Sequence, residues 1–200
     1  MFWAKRIAVV GALALSGTAA GAASVTFDFT TVGPVSGPTL SFSQGGLNLV
    51  VSAGVFNTTT GVVTMGGGPH VGQGMGAGLG ERFDSADNAK LDGSGHAELL
   101  LFSFGSKIHI ESVTFARIDT GSKVTGFLNG VMMGTTAVTP FMDVSANNFN
   151  ANNFGVGAGD AASAFRVAGI TVSSVPLPAG GLLLGSALLG LSRLGRKRSV

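Results

Sequence analysis

Hydrophobic and polar side chains alternate in short runs along the middle of the chain, from residue 24 to residue 174. Val25, Phe27 and Phe29 take every second position of the first run, so all three lie on one face of an extended strand. Gly, Pro, Asn, Ser and Asp separate the runs, as is typical of short strands joined by turns. The pattern predicts strands at Val25–Phe29, Leu47–Val51, Val62–Met65, Glu98–Phe104, Ile108–Phe115, Lys123–Leu128, Val131–Met133 and Ala164–Val172.

Two pairs of these runs predict β-hairpins. Asn129-Gly130 separates two apolar runs, and this dipeptide favours a type I′ turn because both residues tolerate a positive φ. Gly105-Ser106 separates the run that ends at Phe104 from the run that begins at Ile108, and we interpret it as a second tight turn. In the later run the apolar positions change from one face to the other, which indicates a β-bulge.

Two segments are low in sequence complexity. Met65–Gly80 is so rich in glycine that we predict a long flexible loop, because glycine loses much backbone entropy on folding and buries no side chain. Ala146–Gly155 repeats the tetrapeptide Ala-Asn-Asn-Phe. Two successive turns are the first interpretation of this repeat, and an Asn-rich β-ladder is the alternative.

These elements together predict an all-β fold between two targeting segments. No convincing amphipathic helix falls in the middle of the chain, and the short antiparallel strands fit a jelly-roll-like β-sandwich. We therefore divide the 200 residues into a signal peptide at 1–23, a β-sandwich ectodomain at 24–174 and a C-terminal sorting segment at 175–200.

The N-terminus has the three parts of a secretory signal. Lys5 and Arg6 form a basic start, Ile7–Leu15 is apolar, and small residues follow. Such a signal helix is inserted by a Sec-type translocon with its cations on the cytoplasmic side. A buried hydrophobic helix is the alternative interpretation. The predicted signal-peptidase site, with cleavage before Ala23 or one residue later, is formed by Ala20, Ala22 and Ala23.

The C-terminus combines a stiff spacer, an apolar stretch and a basic end. Val175–Pro178 contains two prolines, which fix φ and lack an N–H donor. The apolar stretch Ala179–Leu194 predicts a transmembrane helix of roughly 24 Å at about 1.5 Å per residue, which is short for a hydrocarbon core of about 30 Å. Arg196, Lys197 and Arg198 are expected to hold the C-terminus in the cytoplasm as a basic lock.

This three-part tail resembles the PEP-CTERM sorting signals of Gram-negative bacteria, in their VPLPA variant. The sorting motif consists of Val175, Pro176, Leu177, Pro178 and Ala179. The resemblance implies that a membrane-embedded exosortase recognises this motif and removes the tail, after which the protein reaches the cell surface or the extracellular matrix. An ordinary membrane anchor is the alternative. The stretch around residues 91–119 also resembles other exosortase-dependent surface proteins, which implies a surface sandwich and no assigned chemistry.

Charge and composition exclude several classes of function. Six of the twelve Lys and Arg residues lie in the two ends, and all ten Asp and Glu residues lie between them, so the middle carries a net charge of −4. A basic nucleic-acid surface is therefore not expected. The chain has no cysteine, which excludes disulfides, thiol catalysis and Cys-based metal sites.

One oxygen-rich cluster is a candidate for Ca²⁺, which prefers several carboxylate and carbonyl ligands in a loop. Its spacing is not that of an EF-hand, so a polar loop of Asx turns is the alternative. The candidate ligands are Asp84, Asp87, Asn88 and Asp92. No motif of a hydrolase, a zinc enzyme or a nucleotide-binding loop is present, and we expect no catalytic residues and no other cofactor.

These features predict an exported, non-enzymatic protein. We expect an inner-membrane-anchored precursor that an exosortase-type protease processes for the cell surface or the matrix. The alternative is a module that binds extracellular polysaccharide, with calcium assisting. The mature chain lacks the Trp and Tyr side chains on which sugars usually stack, because Trp3 is the single tryptophan and tyrosine is absent.

Overall fold

The alternating runs form a hydrogen-bonded antiparallel sheet. The computed structural model describes residues 23–31, 35–66, 70–74, 78–82 and 90–175. Within them, one short 3-10 turn at Ser145–Asn147 accompanies the strands. The strands are β1 Ser24–Asp28, β2 Val35–Gly37, β3 Thr39–Gln44, β4 Leu47–Phe56, β5 Val63–Met65, β6 His70–Gly74, β7 Gly78–Arg82, β8 Leu91–Asp92, β9 Ala97–Ala116, β10 Lys123–Leu128, β11 Val131–Ala137, β12 Phe141–Asp143, β13 Asn150–Ala158 and β14 Ala164–Ser174. The predicted all-β, antiparallel class is confirmed.

The predicted hairpin at Gly105-Ser106 is wrong, because the two runs form one continuous strand, β9. Neither residue has the positive φ that a tight turn requires. Residues 105–107 are exposed, and the strand exchanges most of its partners across them. Ala97–Phe104 pairs with β4 and β13, whereas Ile108–Ala116 pairs with β14 and β12 and shares only its first two residues with β13. Each run therefore finds its neighbours far away in the chain.

The predicted change of buried face in β9 is confirmed. Ile110 pairs with Val172, and Ser112 pairs with Thr171, so Glu111 is an extra residue that makes a bulge against β14. Burial then passes from Ile108 and Ile110 on one side of the bulge to Val113 and Phe115 beyond it.

The long strand β9 belongs to two layers. Its first part pairs with β4 and β13 in a first layer that also contains β3, β5, β10 and β11. Its second part pairs with β14 and β12 in a second layer that also contains β1, β2, β6, β7 and β8. Hydrogen bonds thus join all fourteen described strands into one sheet, which folds over at β9.

Phenylalanine side chains fill the space between the two layers. The ring of Phe29 lies 5.9 Å from the ring of Phe102, and the ring of Phe27 lies 6.0 Å from the ring of Phe104. Phe27 lies in β1, in the second layer, and Phe29 is the residue directly after this strand. Phe102 and Phe104 lie in the part of β9 that belongs to the first layer. Since these pairs are not neighbours in the sheet, the two layers face each other across one core, which gives the fold its sandwich character.

A smaller cluster covers the outer face of the first layer. Phe56, Leu99 and Phe127 are buried there, and the rings of Phe56 and Phe127 lie 4.9 Å apart. Leu100 and Phe102 point instead into the main core. Successive residues of this run therefore face opposite sides, and the run is nearly all apolar because both of its faces are covered.

The Asn-Gly hairpin is confirmed as strands β10 and β11. Asn129 and Gly130 have φ values of 50° and 81°. Leu128 pairs with Val131, so these two residues alone form the turn. The register shifts beside Gly126, which leaves Met133 as an extra residue in the edge strand β11.

The glycine-rich segment is not the flexible loop that its composition predicts. Residues 70–74 and 78–82 form the antiparallel pair β6–β7, and β7 continues the second layer through the pairing of Leu79 with Val167. Val71 and Leu79 are fully buried. The glycines allow this packing, because a Cβ at Gly78 would overlap the carbonyl of Val167. Residues 67–69 and 75–77 lie outside the described part of the chain.

The two copies of Ala-Asn-Asn-Phe have different structures. The first copy, 146–149, continues the 3-10 turn and places Asn148 in the left-handed region with a φ of 51°. The second copy, 151–154, lies within β13, where Ala151 and Phe154 are buried. The prediction of two turns is therefore right for the first copy and wrong for the second.

Candidate functional site

Both ends of the described chain lie at the same end of the sheet. Strand β1 begins at Ser24, which pairs with Ser173 near the end of β14. The last described residue, Val175, directly follows β14, and its backbone N–H lies 3.5 Å from the carbonyl oxygen of Lys107. The chain therefore enters and leaves this domain through two adjacent strands. This end of the sheet lies beside residues 105–107 of β9, the exposed bend where this strand passes from the first layer to the second.

The start of β1 is fixed by a side chain from β9. The hydroxyl of Ser24 lies 2.8 Å from each carboxylate oxygen of Glu111, the bulged residue. Ala23, at the predicted cleavage position, precedes this contact and is exposed. A signal peptidase that cuts on either side of Ala23 would leave the contact at the extreme end of the mature chain.

Most residues of the predicted targeting sites lie outside the described part of the chain. They are Ala20 and Ala22 of the cleavage site, Pro176, Leu177, Pro178 and Ala179 of the sorting motif, and Arg196, Lys197 and Arg198 of the basic lock. Among the described residues, no helix has the length and hydropathy needed to cross a membrane. The predicted signal helix and transmembrane helix both fall in the undescribed ends.

The predicted calcium loop is described at only one of its four positions. Asp84, Asp87 and Asn88 lie outside the described residues. The carboxylate of Asp92 accepts a hydrogen bond of 2.9 Å from the backbone N–H of Ser94, which is an Asx turn. No group of three or more His, Asp or Glu side chains that could hold a metal occurs among the residues the structure describes.

The histidines lie on separate elements. His70 lies on β6, His96 in the loop before β9, and His109 in β9 beyond the bend. The hydroxyls of Ser24 and Ser163 donate to the carboxylates of Glu111 and Asp160, and the hydroxyl of Ser122 donates to the carbonyl oxygen of Ala164.

A network of hydrogen bonds ties together the loops at the other end of the sheet. The hydroxyl of Ser163 donates to Asp160 over 2.6 Å and accepts from the backbone N–H of Lys123 over 2.8 Å. Lys123 also forms an ion pair of 3.1 Å with Asp160. The Ser163 hydroxyl, and then Lys123, hold the pKa of Asp160 below its usual range. Asp160 is therefore a fixed anion at neutral pH.

Beside this network lies a polar cleft of about 450 Å³. Loops from three parts of the chain line it, including Asn57, His96 and Asp160. The side chain of Asn57 is already engaged, because it accepts hydrogen bonds of 2.9 Å from the backbone N–H groups of Thr59 and Thr60. This cleft was not predicted from the sequence, since its residues are far apart in the chain.

A second cleft, of about 280 Å³, opens between the layers where β12 and β11 form their edges. Its walls include Phe115, Phe154, Met133 and Met142. No charged side chain is among the described residues that line it. This apolar cleft was also not predicted, because its lining residues come from five strands, β9 to β13, and two facing glycines of the β10–β11 hairpin.

Comparisons with known protein families, with curated proteins and with solved structures found no match to this chain. The function must therefore be argued from the sequence and the geometry.

Proposed function

We propose that this chain is an exported surface protein whose β-domain is displayed and then released through a C-terminal sorting signal. The observation that supports it best is the adjacency of Ser24 and Ser173, which brings the two predicted processing points, Ala23 and Val175, to one end of the domain. A protein processed by two membrane enzymes needs both sites accessible from the membrane side. The rest of the domain then faces away from it.

The junction with the tail is short in this proposal. Strand β14 ends at Ser174, and the sorting motif begins at the next residue. Strand β14 is bonded to β9 on one side and to β1 on the other, so the tail is attached to an interior strand of the sheet. The two prolines of the motif would keep the protease site extended and separate from the sheet.

The finer features of the proposal concern the undescribed ends. The precursor carries a Sec-type signal helix and a short transmembrane helix, and an exosortase-type enzyme cuts within the motif. The mature product is a jelly-roll-like sandwich at the cell surface or in the matrix of a Gram-negative bacterium, with no catalytic role of its own.

Fractionation with an epitope before Val175 tests the sorting step. The double variant Pro176→Ala/Pro178→Ala should still insert but should accumulate uncut in the inner membrane. Neutralising Arg196, Lys197 and Arg198 should instead weaken retention and release unprocessed chain. The matched control is Pro140→Ala, in the domain. Processing of the double variant at the wild-type rate would contradict the sorting-signal proposal and leave only a membrane anchor.

A second candidate function is binding of extracellular polysaccharide, and the polar cleft favours it. The imidazole of His96, and the amide NH2 of Asn57 beside its engaged oxygen, are of the kinds that hydrogen-bond sugar hydroxyls. A glycan array probed with the wild type and with His96→Ala tests this candidate. Absence of any glycan signal would remove it. Calcium assistance is tested separately, since a bound ion should raise Tm at millimolar Ca²⁺.

A further inference from the structure

We propose that the apolar cleft between the two layers is a binding site for a small uncharged ligand with a single alkyl chain. The proposal is independent of the sorting signal, because it rests on residues of the ectodomain alone. Its main support is a pair of facing glycines, which leave part of the interior without side chains.

Gly126 of β10 and Gly134 of β11 lie opposite each other in the sheet. Both line the cleft, and a Cβ placed on either would meet no atom within 4 Å. The neighbouring inward position, Val124, is 5% exposed and belongs to the core. Interiors are normally packed to the density of organic crystals. Because these two facing glycines have no side chains, they leave a recess in the cleft that no described side chain fills.

The walls of the recess suit an apolar guest. Phe115 and Phe154 contribute rings, while Met133 and Met142 contribute flexible thioethers that adapt to irregular shapes. The volume of about 280 Å³ is well above the roughly 150 Å³ at which an apolar cavity already binds benzene. It lies at the small end of ordinary ligand sites, which start at about 300 Å³. One short chain fits; a folded lipid with two chains does not.

The head group of the ligand follows from the polar atoms at the cleft. Thr136 and Asn147 supply a hydroxyl and an amide, and no described lining residue is a cation. Both residues are exposed, so a carboxylate beside them would keep much of its water but would gain no opposite charge, in a part of the chain whose net charge is −4. A hydroxyl or an ester can instead be satisfied by these two neutral groups. The site should therefore prefer a medium-chain alcohol to the fatty acid of equal length.

Photolabelling of the full chain in lipid vesicles tests the proposal. The probes are a ten-carbon alcohol and the matching ten-carbon acid, each carrying a diazirine, and mass spectrometry locates the labelled peptides. We expect saturable labelling by the alcohol on the peptides that contain Phe115, Met133 and Met142, and competition by unlabelled decanol. Peptide mapping separates this signal from probe that partitions into the apolar ends of the chain.

Filling the recess is the decisive variant. Gly126→Val should raise the concentration of alcohol needed for half-saturation roughly tenfold or more. The new side chain would displace the contacts of about two or three methylenes of the ligand. Gly105→Val is the matched control, since Gly105 lies on the exposed bend and a Cβ there also meets nothing within 4 Å. Labelling of the control should equal that of the wild type.

Two further results keep the test decisive. If Gly126→Val does not fold, Met133→Ser replaces it, because Met133 is 50% exposed at the rim and its loss should reduce labelling without unfolding the chain. Labelling that is non-saturable, that is unaffected by either variant, or that is equal for the acid and the alcohol would overturn the proposal.

Discussion

Two hairpins of this protein contain a glycine with the same φ in different surroundings. Gly78, at the start of β7, and Gly130, in the turn before β11, both have a φ of 81°. A Cβ on Gly130 would meet no atom within 4 Å, whereas one on Gly78 would lie 2.8 Å from the Cα of Ala168. The hairpin β10–β11 is specified by its own turn, and the hairpin β6–β7 is specified by what it packs against.

The largest expected effect comes from comparing alanine at these two glycines. Gly130→Ala should cost about 1–2 kcal/mol, which is the strain of an L-residue in the left-handed region. Gly78→Ala adds the overlap with β14 to the same strain, and overpacking typically costs about 1–3 kcal/mol more. Chemical denaturation measures both. Equal losses for the two variants would show that β7 does not lie against β14.

The next effect concerns the side chains of the same hairpins. Leu79 is fully buried, and Leu79→Ala should destabilise the protein by at least about 2 kcal/mol. Val131 lies at the start of β11 and is 64% exposed, so Val131→Ala should change the stability by less than about 0.5 kcal/mol. Thermal unfolding of the two variants separates these outcomes. A small effect of Leu79→Ala would restore the prediction of a flexible loop.

A smaller effect is expected from a side-chain hydrogen bond between β6 and the residue that follows β1. Gln73 is 5% exposed, and its amide donates to the carbonyl oxygen of Phe29 over 2.8 Å. Gln73→Leu should cost about 1–3 kcal/mol, because the carbonyl is left buried without that donor. In the other hairpin, Thr135→Val removes a hydroxyl contact of 2.8 Å to Thr125 and should cost about 0.5–1.5 kcal/mol. A larger loss of stability for Thr135→Val than for Gln73→Leu would mean that β6 does not pack closely against the end of β1.

The sequence predicts those elements that neighbouring residues determine, and it fails for those that depend on pairing with distant strands. The alternation of Val25, Phe27 and Phe29 and the Asn129-Gly130 turn are local signals, and both are confirmed. The hairpin at Gly105-Ser106 fails because each half of β9 has partners elsewhere in the chain. A glycine beside a polar residue permits a turn but does not require one.

The Ala-Asn-Asn-Phe repeat makes the same point with identical residues. Copy 146–149 forms a turn that meets β9 through one backbone hydrogen bond, from Ile110 to the carbonyl oxygen of Phe149, whereas copy 151–154 lies between β9 and β10 and forms a strand. Both clefts escape prediction for this reason too. Gly126 and Gly134 become neighbours only through the register of β10 and β11, so nothing at either position alone indicates a recess.

The smallest expected effect is a loss of stability in acid at the base of β10. The pKa of Asp160 is lowered by the Ser163 hydroxyl and by Lys123, so its ionised form is favoured by folding. This contribution is complete above the unfolded-state pKa of about 3.9 and disappears as the pH falls through the lower folded-state value. Asp160→Asn should flatten the decline of Tm below about pH 4. An unchanged profile would show that the carboxylate contributes nothing.

Native-state hydrogen exchange tests most directly the claim that the glycine-rich segment is a packed pair of strands. Because β6 bonds to β2 and β7, and β7 bonds to β14, amides of residues 71–73 and 79–80 should be protected to an extent comparable with the β10–β11 hairpin. Protection should fall selectively in β6–β7 when Gly78 is changed to alanine. Exchange of these amides at the rate of an unstructured peptide, while residues 124–128 stay protected, would contradict the account.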